Sequence, residues 1–157
     1  MDQDAIIQYV MDTFTGADVE RPTDGPGAGD TFFSYDPHHD LAPERRFPFA
    51  TIVTKDYGDF DEASDLNRPG VFRLNIGVSR DTFRALFGDR PSDDHTASAN
   101  QDFAALDRLM LHPVYAPQSF VCVLNPSPET FQVCKPLLAE AYLRATARNA
   151  SNRTSRD

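Results

Sequence analysis

Residues 71–78, VFRLNIGV, constrain the fold of this chain more than any other stretch. Phe72, Leu74, Ile76 and Val78 alternate with Val71, Arg73, Asn75 and Gly77, the period of two expected of a strand with one apolar and one polar face. Ser79 follows at once as a helix cap. Residues 80–87 then repeat Phe83, Leu86 and Phe87 at helical spacing before Gly88 ends the run. A strand that passes without a linker into an amphipathic helix requires a sheet with helices packed on it. The alternation predicts Phe72, Leu74, Ile76 and Val78 in the core and Arg73 and Asn75 on a wet face.

The same reading extends along the chain. Ile6, Ile7, Val10, Met11 and Phe14 recur at spacings of three and four, which predicts a helix over 4–14, capped by Asp2 or Asp4 and stopped at Gly16. Val19 marks a short strand, and PTDGPGAGD within 21–30 is a breaker-rich loop. Phe32, Phe33 and Tyr35 form a strand ended by Asp36-Pro37, and FATIVT at 49–54 is a β-branched strand. Residues 56–70 are turn-rich and acidic, and 90–101 are loop. Phe103, Leu106, Leu109 and Met110 predict a helix over 102–110, halted by His112-Pro113. SFVCVL at 119–124 is an interior strand. Ser127 caps a last helix, with Pro128 in its first turn and Glu129 favourable to its dipole. That helix is expected to reach about Arg148 and to be split at Pro136, whose ring removes a backbone hydrogen bond.

Helix, strands, short helices, strand and long helix in this order describe an α+β fold. The expected form is a two-layer sandwich, a mainly antiparallel sheet with the N- and C-terminal helices on one face. A chain of 157 residues with twelve phenylalanines has the length and the rigid apolar side chains for one core. Residues 1–149 are read as a single domain and 150–157 as a disordered polar tail.

A formal net charge of -9 sets up repulsion toward phosphate backbones and anionic lipid, so nucleic acid is a disfavoured partner. The start, MDQDAIIQYV, carries acid where a secretion signal needs base, and no apolar run approaches the roughly 20 residues of a membrane span. The expectation is a cytoplasmic protein. Cys122 and Cys134 have neither zinc nor disulfide spacing and are read as buried reduced thiols. No phosphate-binding loop, dinucleotide fingerprint, nucleophile elbow or zinc-protease motif occurs, and no cofactor is expected.

Four polar side chains stand out as a candidate cleft. Arg73 and Asn75 share one strand face and suit the carboxylate or phosphate of an anionic ligand, or else a salt bridge to one of the many aspartates. His112 and Tyr115 lie in the rigid connection HPVYAPQ before a buried strand, where function is often carried. The structural alternative has His112 capping a carbonyl and Tyr115 packing over the core edge. Convergence of all four would make a small-molecule site or an active site with His112 as base. His38-His39-Asp40 has metal-ligand types but needs a third partner such as His112, and a solvated turn is the simpler reading. Arg45-Arg46 beside Phe47 and Phe49 has the composition of a single-strand binding site and equally of surface ion pairs.

The segments RRFPFATIVT, RPGVFRLNIGVSRDTFRALFG, DFAALDRLMLHPVYAPQSFVCVLNP and PLLAEAYLRA together resemble a family of uncharacterised bacterial and archaeal proteins, a domain of unknown function, over residues 35–148. The resemblance implies identity without a reaction. More remotely, the element order and the terminal AY-containing helix are similar to the YjbR/MmcQ-like group, which implies a frataxin-like α+β fold and, by analogy, DNA binding. The functional expectation is a small binding or interaction domain without catalytic activity, with an unknown protein or small molecule as partner. The alternatives are a ligand-binding protein or enzyme with a polar cleft near His112 and Tyr115, and a DNA-binding protein.

Overall fold

A computed structural model describes residues 1–88 and 102–154. Its helices are α1 (Gln3–Thr13), α2 (Arg80–Phe87) and α3 (Pro128–Thr154). The strands are β1 (Ala17–Glu20), β2 (Thr31–Tyr35), β3 (Ala50–Val53), β4 (Arg73–Gly77), β5 (Met110–Leu111) and β6 (Phe120–Leu124). They form one antiparallel sheet in the order β1-β2-β3-β4-β6-β5, so the chain has the expected α+β fold.

Each helix begins where a short polar side chain meets its free amides. Asp2 accepts from the Ala5 amide at 2.9 Å, and Ser79 and Ser127 accept from the Thr82 and Thr130 amides at 3.1 Å each. Helix α1 ends at Thr13 with Phe14 extended, and Gly16 turns the chain into β1 with φ +84°, where a Cβ would stand 2.7 Å from the Tyr35 ring. Glycine is therefore required by both backbone and space.

Register fixes two faces. Ile52 lies opposite Leu74, and Leu74 opposite Val123, so these share a face with Phe33, Ala50, Ile76 and Val121. All seven are fully buried, each contributing about 1.5–3 kcal/mol for the larger side chains. Helices α1 and α3 cover this face. Tyr9 meets Phe131 edge-on at 5.3 Å, Phe14 stacks on Tyr142 at 4.9 Å, and Tyr142 reaches Tyr35 of β2 at 5.7 Å.

The second face carries Thr51, Asn75 and Cys122 in one row and Val53, Arg73 and Leu124 in the next. The alternation of 71–78 predicts this face to be wet, and the structure corrects that. Arg73 is 0% and Asn75 3% exposed, because the acidic loop 54–70 folds back over them. Asp61 and Ser64 of that loop hydrogen-bond the Arg73 guanidinium directly.

Other expectations also change. Residues 102–110 are turns followed by β5, not a helix, since Asp107 bonds outward at φ +57°: its amide donates to the Leu124 carbonyl at 2.7 Å, and its carboxylate accepts from the Ser127 amide at 2.7 Å. Leu86 is 40% exposed and not part of the buried edge of α2. Helix α3 passes Pro136 as one element and continues beyond Arg148. The carbonyl that loses its helical donor there belongs to Gln132, an exposed residue. The loop expected over 90–101 lies outside the described residues. No helix among the described residues is long and apolar enough to cross a membrane.

Candidate functional site

The turn that closes β5 and leads to β6 is built around one imidazole. His112 accepts at Nδ1 from the amides of Val114 at 3.0 Å and Tyr115 at 2.9 Å. These two donors fix the tautomer with the proton on Nε2, because a hydrogen on Nδ1 would face two others. Sequence reasoning has His112 capping a carbonyl; it caps two amides. Burial, followed by the positive Arg73 nearby, holds its pKa well below the ordinary histidine value. The ring is neutral, and Nε2–H is the one group it has left to offer a ligand.

A cavity of about 590 Å³ lies over the second face of the sheet. Its floor is Thr51, Arg73, Asn75 and Gly77. Arg73 binds Asp61 through two bonds, Nη1 to Oδ1 at 3.0 Å and Nη2 to Oδ2 at 2.6 Å, the fork geometry that suits a carboxylate. Its Nε donates to Asn75 Oδ1 at 2.8 Å, and Asn75 in turn donates to Thr51 Oγ1 at 2.9 Å. The floor is thus a chain of satisfied groups in which the arginine charge is neutralised internally.

The walls are aromatic, with Phe32, Phe49, Phe120 and Tyr57 among them. Gly77 keeps the floor low under Phe120, whose ring would stand 3.0 Å from a Cβ at that position. The loop that forms one wall is anchored at its start by the fully buried Asp30, which accepts from the Thr54 amide at 2.8 Å, the Thr54 hydroxyl at 2.9 Å, and the Tyr57 phenol. Burial first, and then that bond to Asp30, push the Tyr57 pKa above the usual phenol value. Phe60 (63% exposed) and Tyr115 (41%) stand at the mouth with ring centroids 6.1 Å apart. The C-terminal half of α3 closes the far end with Arg144 and Arg148.

All four residues singled out from sequence, Arg73, Asn75, His112 and Tyr115, line this one cavity. What sequence reasoning missed is Asp61, Ser64, Thr51 and the two α3 arginines. The available signal for Asp61 was a cation in the interior of an apolar strand, followed back to an acidic loop. The His38-His39-Asp40 segment lies elsewhere: His39 is at the surface with Nδ1 3.5 Å from an Asp18 carboxylate oxygen. Among the described residues no group of three or more side chains is placed to hold a metal ion. Arg46 pairs with Glu20 at 3.3 Å, while Arg45 is exposed. Cys122 and Cys134 are free and buried, and burial pushes both thiols up to about 12.

No curated protein and no solved structure matches the chain. A model of a family of unknown function, DUF6194, matches residues 1–155. Matched over nearly its whole length, the chain belongs to the DUF6194 family of unknown function.

Proposed function

We propose that this protein binds a small molecule with a flat, mainly apolar body and a hydrogen-bond acceptor near His112 in the cavity over the second sheet face. The observation that carries this reading is a single concave space of about 590 Å³ with aromatic walls above a polar floor that is already hydrogen-bonded. Ligand sites have this size and composition, apolar for affinity with a few placed polar groups for orientation. His112 Nε2–H supplies the donor for the acceptor of the ligand.

Binding is favoured over acid–base chemistry because each titratable group at the floor is committed. Asp61 is taken by Arg73, and His112 cannot offer a lone pair at Nε2 without losing two amide bonds at Nδ1. Two buried thiols suit a reducing, cytoplasmic setting. The likeness to the YjbR-like group rests on element order and supports a fold comparison, while a net charge of -9 weighs against DNA as the ligand.

The chain has no tryptophan, so an added fluorophore is read against a low background. The test is titration of the full chain with 6-propionyl-2-dimethylaminonaphthalene, a neutral, flat probe with one carbonyl acceptor. A saturable blue shift is expected, one probe per chain, and Ala145→Trp, which adds a large ring at the half-buried lining of the cavity, should abolish it while leaving the circular dichroism spectrum intact. A shift that does not saturate, or that survives Ala145→Trp, overturns the reading.

A further inference from the structure

The arginines of the chain are not spread evenly around this cavity. A second hollow of about 230 Å³ adjoins its far end and shares Phe47, Ala145 and Arg148 with it. Together the two spaces are lined by Arg45, Arg73, Arg144 and Arg148 against the carboxylates of Asp61 and Asp40. Asp61 is already paired with Arg73. Among the described residues that leaves three guanidinium groups against one carboxylate in the lining of the far end, with Glu140 the further carboxylate that Arg144 acts on, so the cations there still outnumber the anions on a chain whose net charge is -9.

The three differ in how they are held. Arg144 is fixed by Nη1, which donates to the Val78 carbonyl at 2.6 Å and the Gly77 carbonyl at 3.4 Å, so its remaining donors keep a set position. Arg45 and Arg148 are exposed and have no side-chain hydrogen bond or ion pair among the described residues. Guanidinium forks match carboxylate and phosphate geometry, and a cluster of them beside an apolar wall is a receptor for an anion on an apolar stem. The negative charge of the rest of the surface acts from a greater distance and is damped beyond about 8–10 Å at ordinary ionic strength, so the local cluster decides the sign at the site.

We infer that the ligand of the cavity is an amphipathic anion, its flat apolar body lying along the aromatic walls and its carboxylate received between Arg144, Arg148 and Arg45. This rests on the small-molecule reading above and narrows it to a class. Phe47, 59% exposed and common to both spaces, lies where the apolar body gives way to the charged end.

The experiment is calorimetric titration of the full chain with 2-naphthoate and, separately, 2-naphthamide, which share the same ring system and differ in charge. Naphthoate should bind at least about tenfold more tightly, with the margin shrinking as sodium chloride rises from about 50 mM to about 500 mM. Arg148→Gln should weaken naphthoate about three- to tenfold and naphthamide by clearly less, with Arg45→Gln as a second variant at an exposed position. Equal affinity for the two probes, or a naphthoate affinity indifferent to both substitutions, overturns the anionic class and leaves the cavity reading standing. Failure of both naphthyl probes while the neutral propionyl probe still binds also overturns the class alone. Failure of all three overturns the cavity reading with it.

Discussion

His112 accepts two amide hydrogen bonds at Nδ1, and a protonated ring would set a third donor against them. Burial first, and then the positive Arg73, depress its pKa, and the two amides leave no place for a proton on Nδ1. Below the unfolded value of 6.5 the unfolded chain takes up a proton that the folded chain refuses. The stability from this site is therefore full above about pH 6.5 and falls as the pH drops below it, at about 1.4 kcal/mol per unit. Urea unfolding of the wild type should show that loss between about pH 6.5 and 5.5. His112→Asn keeps an acceptor near the Nδ1 position but does not titrate, so its stability should be flatter across the same window. Parallel pH slopes for the two proteins would contradict a neutral, buried imidazole. The same variant removes Nε2–H and should weaken the neutral carbonyl probe by about three- to tenfold.

At the scale of elements, α2 and α3 are joined by one carboxylate. Glu140 of α3 accepts from the Ser79 amide at 2.6 Å and the Thr82 hydroxyl at 2.7 Å, placing negative charge at the start of α2. Burial pushes its pKa up, but the bonds from Thr82 and Ser79 outweigh that and hold it below the usual glutamate value. A depressed carboxyl stabilises above its ordinary pKa and loses that contribution as the pH falls through the folded value. Glu140→Gln should cost about 1 kcal/mol at neutral pH, read from the urea midpoint, and the gap to wild type should close as the pH falls below the usual glutamate range. A constant gap would assign Glu140 a packing role only. The Ser79 cap and the Gly88 stop were legible in sequence because both act within one turn of the chain. The Glu140 cap was not, since its partners lie 61 and 58 positions away. The helix expected over 102–110 failed for the same reason: Phe103, Leu106 and Leu109 have helical spacing, yet Asp107 is bound to the end of β6 and the start of α3.

Across the whole molecule, the alternation in 71–78 revealed two faces but not what covers the second one. Phe72, Leu74, Ile76 and Val78 were legible as core because water alone decides their side. Arg73 and Asn75 were legible as sharing a face, and the same polarity that suggested solvent is what the loop 54–70 uses to dock. Asp61, Ser64, Arg73, Asn75 and Thr51 form one continuous set of hydrogen bonds between loop and sheet, with the Arg73 and Asp61 side chains 1% and 7% exposed. Such a pair contributes little net stability relative to apolar replacements, but removing one partner strands a buried charge. Asp61→Asn should therefore cost about 3–5 kcal/mol, whereas Arg73→Met combined with Asp61→Leu should cost clearly less than the single change. The loss should also have a place. In native-state hydrogen exchange, Asp61→Asn should release the amides of loop 54–70, such as Leu66, at a lower opening free energy than those of Val121 and Val123 in β6. If the loop and β6 amides exchanged together, the roof of the cavity would be part of the global folding unit, and a ligand could enter only by way of the mouth between Phe60 and Tyr115.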